Sequence, residues 1–263
     1  MLEEIRERMG PTRVVGRVIL YYEEIGSTNT RAKELAGAEG ADGTAVIAGC
    51  QTAGRGRMER SFQSPPDKGL YLSVLLRPRL APERLLPVTA LAGVAVCCAV
   101  ERLCGVRPGL KWPNDPVLGG KKLCGILTER TAGEALVVGI GVNVAQLPGD
   151  FSPEVAEMAT SLLRETGRPV SRGALAACLL EELDRMYEAL LAGDLTAYLA
   201  AYRRDCVNLG KRVQLIAPDG ARETVTAVGI DGTFGLVVRG ADGAERTVRS
   251  GEVSVRGLYG YVE

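Results

Sequence analysis

The chain has 263 residues and no histidine. That absence removes Ser-His-Asp and Cys-His nucleophile activation, and every imidazole metal ligand. Net charge is also missing. With 32 Lys and Arg against 32 Asp and Glu, the electrostatic footprint of a dedicated nucleic-acid binder is not there. Aromatics are only 5% of residues, with one tryptophan, so a core has to rest on Leu, Val, Ala and Ile. The seven cysteines form no CxxC pair, and a structural zinc needs closely paired ligands. They read instead as buried, reduced thiols of a cytoplasmic protein. The start, MLEEIRERMG, is charged and has no apolar signal-peptide core. The longest apolar stretch, Thr89 to Val100, is shorter than the roughly 20 residues a bilayer requires, so no membrane span is expected. Chemistry on this chain must run on Lys, Arg, carboxylates, amides and backbone.

What is present suits a globular protein, with hydrophobic residues at 46%. A short helix is expected over 1–10 and a strand over Val14–Glu24. Ser27 or Thr28 can cap a helix that turns Ala32, Leu35 and Ala36 inward and stops at Gly37. Strands are expected at Thr44–Ala48, Leu70–Leu76, Lys122–Glu129 and Ala135–Val144, and a helix at about Pro82–Cys104. Between Arg172 and Leu191 the residues Leu175, Leu179, Leu183, Met186, Tyr187 and Leu190 share one helical face. The character changes near 205. Asp-Gly pairs at 219, 231 and 242 separate short β-rich runs, the pattern of a small barrel. The division expected is therefore 1–204 and 205–263.

Four segments could carry chemistry. Gln51-Thr52-Ala53-Gly54-Arg55-Gly56-Arg57 joins glycines, whose amides can turn toward an anion, to arginines that grip phosphate or carboxylate. It is neither a Walker A loop nor GxGxxG, and a solvated basic loop has the same composition. Lys111-Trp112-Pro113-Asn114-Asp115 leads into Lys121-Lys122-Leu123-Cys124-Gly125, where Lys122 can aim its head into a cleft while its stem packs, or sit at the end of an exposed hairpin. Ser27-Thr28-Asn29 can cap a helix or meet a small polar ligand. Gly139 and Gly141 inside a strand allow a close backbone approach or mark a bulge.

In order, GSTNT, QTAGRGR, KWPND, KKLCGILTE, GIGVNV and the SGEVSVRG of the C-terminal β-region resemble the biotin protein ligase family, over about residues 20–258. The resemblance implies an α+β fold: a catalytic domain akin to class II aminoacyl-tRNA synthetases, with a C-terminal SH3-like barrel. It implies that biotin and ATP, with Mg²⁺, give biotinyl-5′-AMP and pyrophosphate, and that biotin then passes to one lysine of a biotin carboxyl carrier protein. By the same resemblance Ser27, Thr28, Asn29 and Gln51 line the biotin end, and Gly54, Arg55, Gly56 and Arg57 form a loop closing over the adenylate. Lys122 meets the reacting carboxyl and phosphate oxygens. Gly125 and Asn143 complete the pocket floor and adenylate side. Lys111, Asn114 and Asp115 face the ATP phosphates and Mg²⁺, which comes with ATP and has no dedicated protein site. Lys122, Arg57, Lys111 and Asp115 carry the catalytic load. Family members often dimerise through catalytic-domain strands, so a homodimer is also implied.

Two departures stand out. The family loop usually reads GRGRxGR followed by Trp; here Glu59 replaces the last Gly and Phe62 stands near the Trp position. Many relatives carry an N-terminal winged helix, and with about twenty residues before Tyr21 this chain is expected not to bind nucleic acid as a repressor. Lipoate attachment and a non-catalytic biotin sensor are the competing readings. The retained GRGR, KWPND and Lys122 argue against both.

Overall fold

A computed structural model describes residues 1–56, 60–131, 135–249, 254–257 and 261–262. The segment GLYLSVLL forms β3 of the central sheet, and every residue of it is buried. That sheet runs β1 (Ile19–Ile25), β2 (Ala45–Gln51), β3 (Gly69–Leu76), β8 (Leu136–Asn143) and β7 (Cys124–Arg130) in spatial order. Only β1 and β2 pair in parallel; the remaining pairs are antiparallel. A hairpin sheet of β4 (Gly109–Lys111), β5 (Asp115–Leu118) and β6 (Lys121–Lys122) stands beside it. Gly119 and Gly120 turn β5 into β6 at φ of 56° and 73°, left-handed backbone that favours glycine.

The helices are α1 (Leu2–Arg8), α2 (Thr28–Glu34), α3 (Pro82–Leu85), α4 (Val88–Cys104), α5 (Pro153–Ala156), α6 (Leu162–Thr166), α7 (Arg172–Ala192) and α8 (Thr196–Asp205). The apolar face expected on α7 is buried, and Gly193 ends the helix at φ 77°. Helix α4 packs on α7 and on β7. By length and composition the stretch Pro82–Cys104 could cross a bilayer, yet most of its residues are buried inside the fold, as befits a core helix. All seven cysteines are free. Burial pushes the Cys97 and Cys124 thiols up, so they pack as small apolar groups.

The C-terminal region is a five-stranded antiparallel sheet. Its strands are β9 (Arg212–Ile216), β10 (Arg222–Ile230), β11 (Leu236–Arg239), β12 (Glu245–Val248) and β13 (Ser254–Gly257), in the order β12-β11-β10-β9-β13. Gly220 and Gly243 of the Asp-Gly pairs adopt positive φ, as turns between strands require.

Three elements differ from expectation. The first strand begins at Ile19, because the backbone N–H groups of Arg13, Val14 and Val15 are taken by the Asp184 carboxylate on α7. The helix over Pro82–Cys104 is interrupted, since Pro87 has no N–H to donate and α4 starts after it. Lys122 does not open the apolar strand. It ends β6, pairs with Val117, and β7 begins only at Cys124.

Candidate active site

The central sheet, the hairpin sheet and the C-terminal region enclose a cavity of about 280 Å³. Ser27, Thr28, Asn29, Gln51, Arg55, Gly56, Lys111, Asn114, Asp115, Lys122, Gly125 and Asn143 all line it. Gly54 does not. A Cβ there would lie 2.3 Å from the Phe62 carbonyl oxygen, so glycine permits two backbone segments to cross. Arg57 and Glu59 lie outside the described residues.

One end of the cavity is neutral and densely hydrogen-bonded. Ser27 caps α2, which drives Thr28 and Asn29 into the protein against β3 and β8. The Thr28 backbone N–H and hydroxyl donate to Gln51 Oε1 at 2.9 and 3.0 Å. Gln51 Nε2 donates to Ser64 Oγ at 2.8 Å. The Ser73 hydroxyl lies 2.7 Å from Thr28 Oγ1 and 2.6 Å from Asn29 Oδ1, with one proton to give between them. Asn29 Nδ2 donates to Glu129 Oε2 at 2.9 Å. Gly139 makes room for this arrangement, because a Cβ on it would sit 1.9 Å from Asn29 Oδ1.

Beside this network residues 54–56 pair antiparallel with residues 60–62. Gly56 N–H donates to the Arg60 carbonyl and Phe62 N–H to the Gly54 carbonyl. The Phe62 ring lies over the cross-strand pair Gly125 and Gly141, close enough that a Cβ on Gly141 would be 2.4 Å from it. It also meets Tyr71 edge-on at 6.5 Å between centroids. The Arg55 guanidinium lies 3.4 Å from Glu129 Oε1, a carboxylate that Lys33 also holds. Burial pushes Glu129 up, but the Lys33 and Asn29 hydrogen bonds and the nearby cations outweigh it and leave the carboxyl below its ordinary range.

The other end is charged. Lys111 closes β4 and Asp115 opens β5, as partners across the hairpin. Lys122 Nζ donates to Asp115 Oδ1 at 2.7 Å. The Lys122 backbone is pinned too: its N–H donates to the Met158 carbonyl and its carbonyl accepts from Thr160. Burial alone would raise Asp115, but Lys122, the Tyr261 hydroxyl and Lys111 together hold it below the usual carboxylate range. Lys111 is 3% exposed, and burial lowers its ammonium to about 8 against the pull of Asp115. Asn114, also buried, donates through Nδ2 to the Ile126 carbonyl at 2.7 Å.

Helix α8 and the C-terminal region brace this end. Trp112 Nε1 donates to the Phe234 carbonyl at 3.0 Å, Trp112 N–H to Asn208 Oδ1 at 2.7 Å, and the Tyr202 hydroxyl to the Pro113 carbonyl at 2.8 Å. Val255, Arg256 and Tyr261 reach the cavity wall. No sequence signal marks Tyr261, and Glu129 stands only at the end of the KKLCGILTE motif, with no role attached to it. For Ser73 the signal was a lone hydroxyl inside an apolar strand. Among the described residues no three His, Cys, Asp or Glu side chains converge on a metal site.

Residues 21–144 match the Biotin/lipoate A/B protein ligase family, and residues 209–256 match the biotin protein ligase C terminal domain. The chain is 33% identical over 250 residues to the Bifunctional ligase/repressor BirA of Bacillus subtilis, covering 93% of this chain and 77% of that protein. It is 38% identical over 204 residues to the Biotin--[acetyl-CoA-carboxylase] ligase of Mycobacterium tuberculosis, covering 75% and 74%. Its fold superposes on the biotin protein ligase of Aquifex aeolicus, solved in complex with biotin and ATP. There the TM-score is 0.82 at 30% identity, over 92% of this chain and 99% of that one.

Proposed function

The chain belongs to the biotin protein ligase family, and from that premise we propose how its cavity divides the work. The reaction is ATP-dependent formation of biotinyl-5′-AMP followed by transfer of biotin to a carrier protein. The observation that carries the assignment is polarity. One cavity joins a neutral hydrogen-bonding end to an end that presents Lys111, Lys122 and Asp115.

The neutral end suits the ureido ring of biotin, which offers two N–H donors and one carbonyl acceptor. Thr28, Asn29, Gln51 and Ser73 form a network with one hydroxyl proton serving two acceptors, so a ligand N–H has an acceptor to meet. The Phe62 ring and the glycines beneath it supply the apolar surface for the bicycle. Gly125 lies beneath the Phe62 ring, and Asn143, held by the Gln146 amide at 3.1 Å, completes the wall.

In the first step the biotin carboxylate needs no base. It attacks the α-phosphorus, and pyrophosphate leaves. Lys122 stands where it can neutralise both the carboxylate and the phosphate oxygens as they approach, and Lys111 faces the leaving group. Such transfer depends on positioning and charge stabilisation. Arg55 closes over the adenylate, a role the family resemblance also gives to Arg57. Mg²⁺ arrives with ATP, and Asp115 and Asn114 are the residues that would face it. A single carboxylate beside substrate phosphates is an ordinary Mg²⁺ environment. In the second step the neutral amine of the acceptor lysine attacks the acyl carbon, the acyl–phosphate bond breaks, AMP leaves with that electron pair, and the amine's proton passes to solvent. Asp115 is a poor acceptor for that proton, because three donors and cations hold it ionised.

The acceptor is a biotin carboxyl carrier protein of a biotin-dependent carboxylase. Residues 1–204 carry the adenylation chemistry and 205–263 brace its charged end. The free thiols support a reducing, cytoplasmic setting. Strands β1 and β7, at the edges of the central sheet, are where a second copy would pair in a homodimer.

Mass spectrometry of a biotin carrier domain, incubated with the chain, biotin and ATP, tests the reading. One biotin added to one lysine is expected. Biotin-dependent ATP–pyrophosphate exchange with lipoate inert excludes lipoate attachment, and biotin binding without exchange would establish a sensor instead.

A further inference from the structure

Tyr261 belongs to none of the motifs above. It lies beyond β13, at the far end of the C-terminal region, yet its side chain enters the cavity. Its hydroxyl donates to Asp115 Oδ2, the oxygen that Lys122 leaves open. Its ring carries the Lys111 ammonium 3.8 Å from the centroid. One side chain thus meets both members of the Lys111–Asp115 pair across the hairpin.

These contacts supply what the hairpin cannot supply alone. A lysine ends in a compact ammonium on a flexible four-carbon stem, and its burial leaves few ways to hold a direction. A ring face fixes that direction through cation–π attraction while leaving the N–H donors available to phosphate oxygens. A carboxylate gripped on one oxygen can still pivot; gripped on both it cannot. Lys122, Asp115, Tyr261 and Lys111 therefore form one continuous chain of contacts. Burial and the adjacent Asp115 raise the phenol above its ordinary range, so Tyr261 remains a donor.

We propose that Tyr261 is a positioning residue for the adenylation step, fixing Lys111 and Asp115 so that the C-terminal region forms part of the reaction centre. The proposal rests on the ligase reading. Tyr261 acts through the two charged residues, on the ATP side of the reaction.

The test uses the full chain and two variants. Tyr261→Phe keeps the ring under Lys111 and removes the hydroxyl; Tyr261→Leu removes both. Biotin-dependent ATP–pyrophosphate exchange gives kcat and the KM for ATP, calorimetry gives biotin affinity, and thermal unfolding reports the fold. The expected result is a kcat about tenfold lower for Phe and about a hundredfold lower for Leu, with biotin affinity and Tm of the Phe variant unchanged. Wild-type kcat and ATP KM in both variants overturn the proposal. So does a loss that tracks Tm and falls equally on biotin and ATP, the signature of a structural plug. A wild-type chain with no exchange overturns the ligase reading itself, whereas an active wild type with indifferent variants overturns Tyr261 alone.

Discussion

The two ends of the cavity are built on different principles. The neutral end grows from the central sheet and α2. Its side chains are buried and satisfy one another through Gln51, Ser73 and Glu129. The charged end grows from a three-stranded hairpin sheet that leans on the C-terminal region through Trp112, Asn208 and Phe234, and on α8 through Tyr202. On the proposed function, the contrast separates recognition from chemistry. A neutral ring is selected by dipoles that cost free energy when left unpaired. A transferring phosphoryl group needs cations held at fixed distances, in a place where water is scarce.

Breaking the charged end should have the largest effect. Lys122→Ala is expected to lower adenylation kcat by about 10²–10³, or about 2.7–4 kcal/mol, in a chain that still folds but unfolds earlier because Asp115 loses its partner. Pyrophosphate exchange beside calorimetric unfolding measures both, and wild-type turnover would remove Lys122 from the site. Breaking the neutral end should instead move binding. In Gly139→Ala the new methyl group collides with Asn29 Oδ1, so biotin affinity should fall about tenfold or more while the adenylation rate at saturating biotin changes little. Isothermal titration separates the two.

A pH profile sharpens the same contrast. Lys111 is depressed to about 8, so its charge is lost as pH rises through that value. kcat/KM for ATP should fall above pH 8, whereas biotin affinity should stay flat over the same range. Stability moves the other way. Between about 8 and the ordinary value of 10.5 the unfolded chain binds the proton that the folded chain has released, so this group makes the fold more stable as pH rises. Parallel decline of both affinities would break the division. The smallest effect belongs to the ion pairs behind the neutral end: Glu129→Gln, which loosens Arg55 and Lys33, should speed adenylate release about threefold. Single-turnover release with labelled biotin measures it.

Local signals made much of this legible. The Asp-Gly pairs located the C-terminal strands closely, and β10 ran on to Ile230 through a register shift between Ala227 and Gly229. The buried face of α7 followed from its 3.6-residue period. At Gly139 and Gly141 the sequence leaves a bulge and a close approach both open. The structure gives each a specific neighbour, Asn29 and Phe62. What the chain order concealed was long-range. The sequence pattern runs the apolar strand back to Lys122, but Leu123 stands between it and β7, bonding to Pro116 and Asn143. Glu129 and Tyr261 reach partners roughly 100 and 150 residues away, and no period or spacing encodes such a meeting.

The single tryptophan has an optical consequence. Trp112 is 2% exposed, its indole N–H is bonded to the Phe234 carbonyl, and its chain neighbours Lys111 and Pro113 line the cavity. Its emission therefore comes from one known place, at the junction of the C-terminal region with the charged end. Excitation at the red edge of tryptophan absorption turns the native chain into its own reporter, without a label. A blue, narrow band marks the two regions in contact, and a red shift that precedes loss of far-ultraviolet ellipticity would register their parting before the central sheet unfolds.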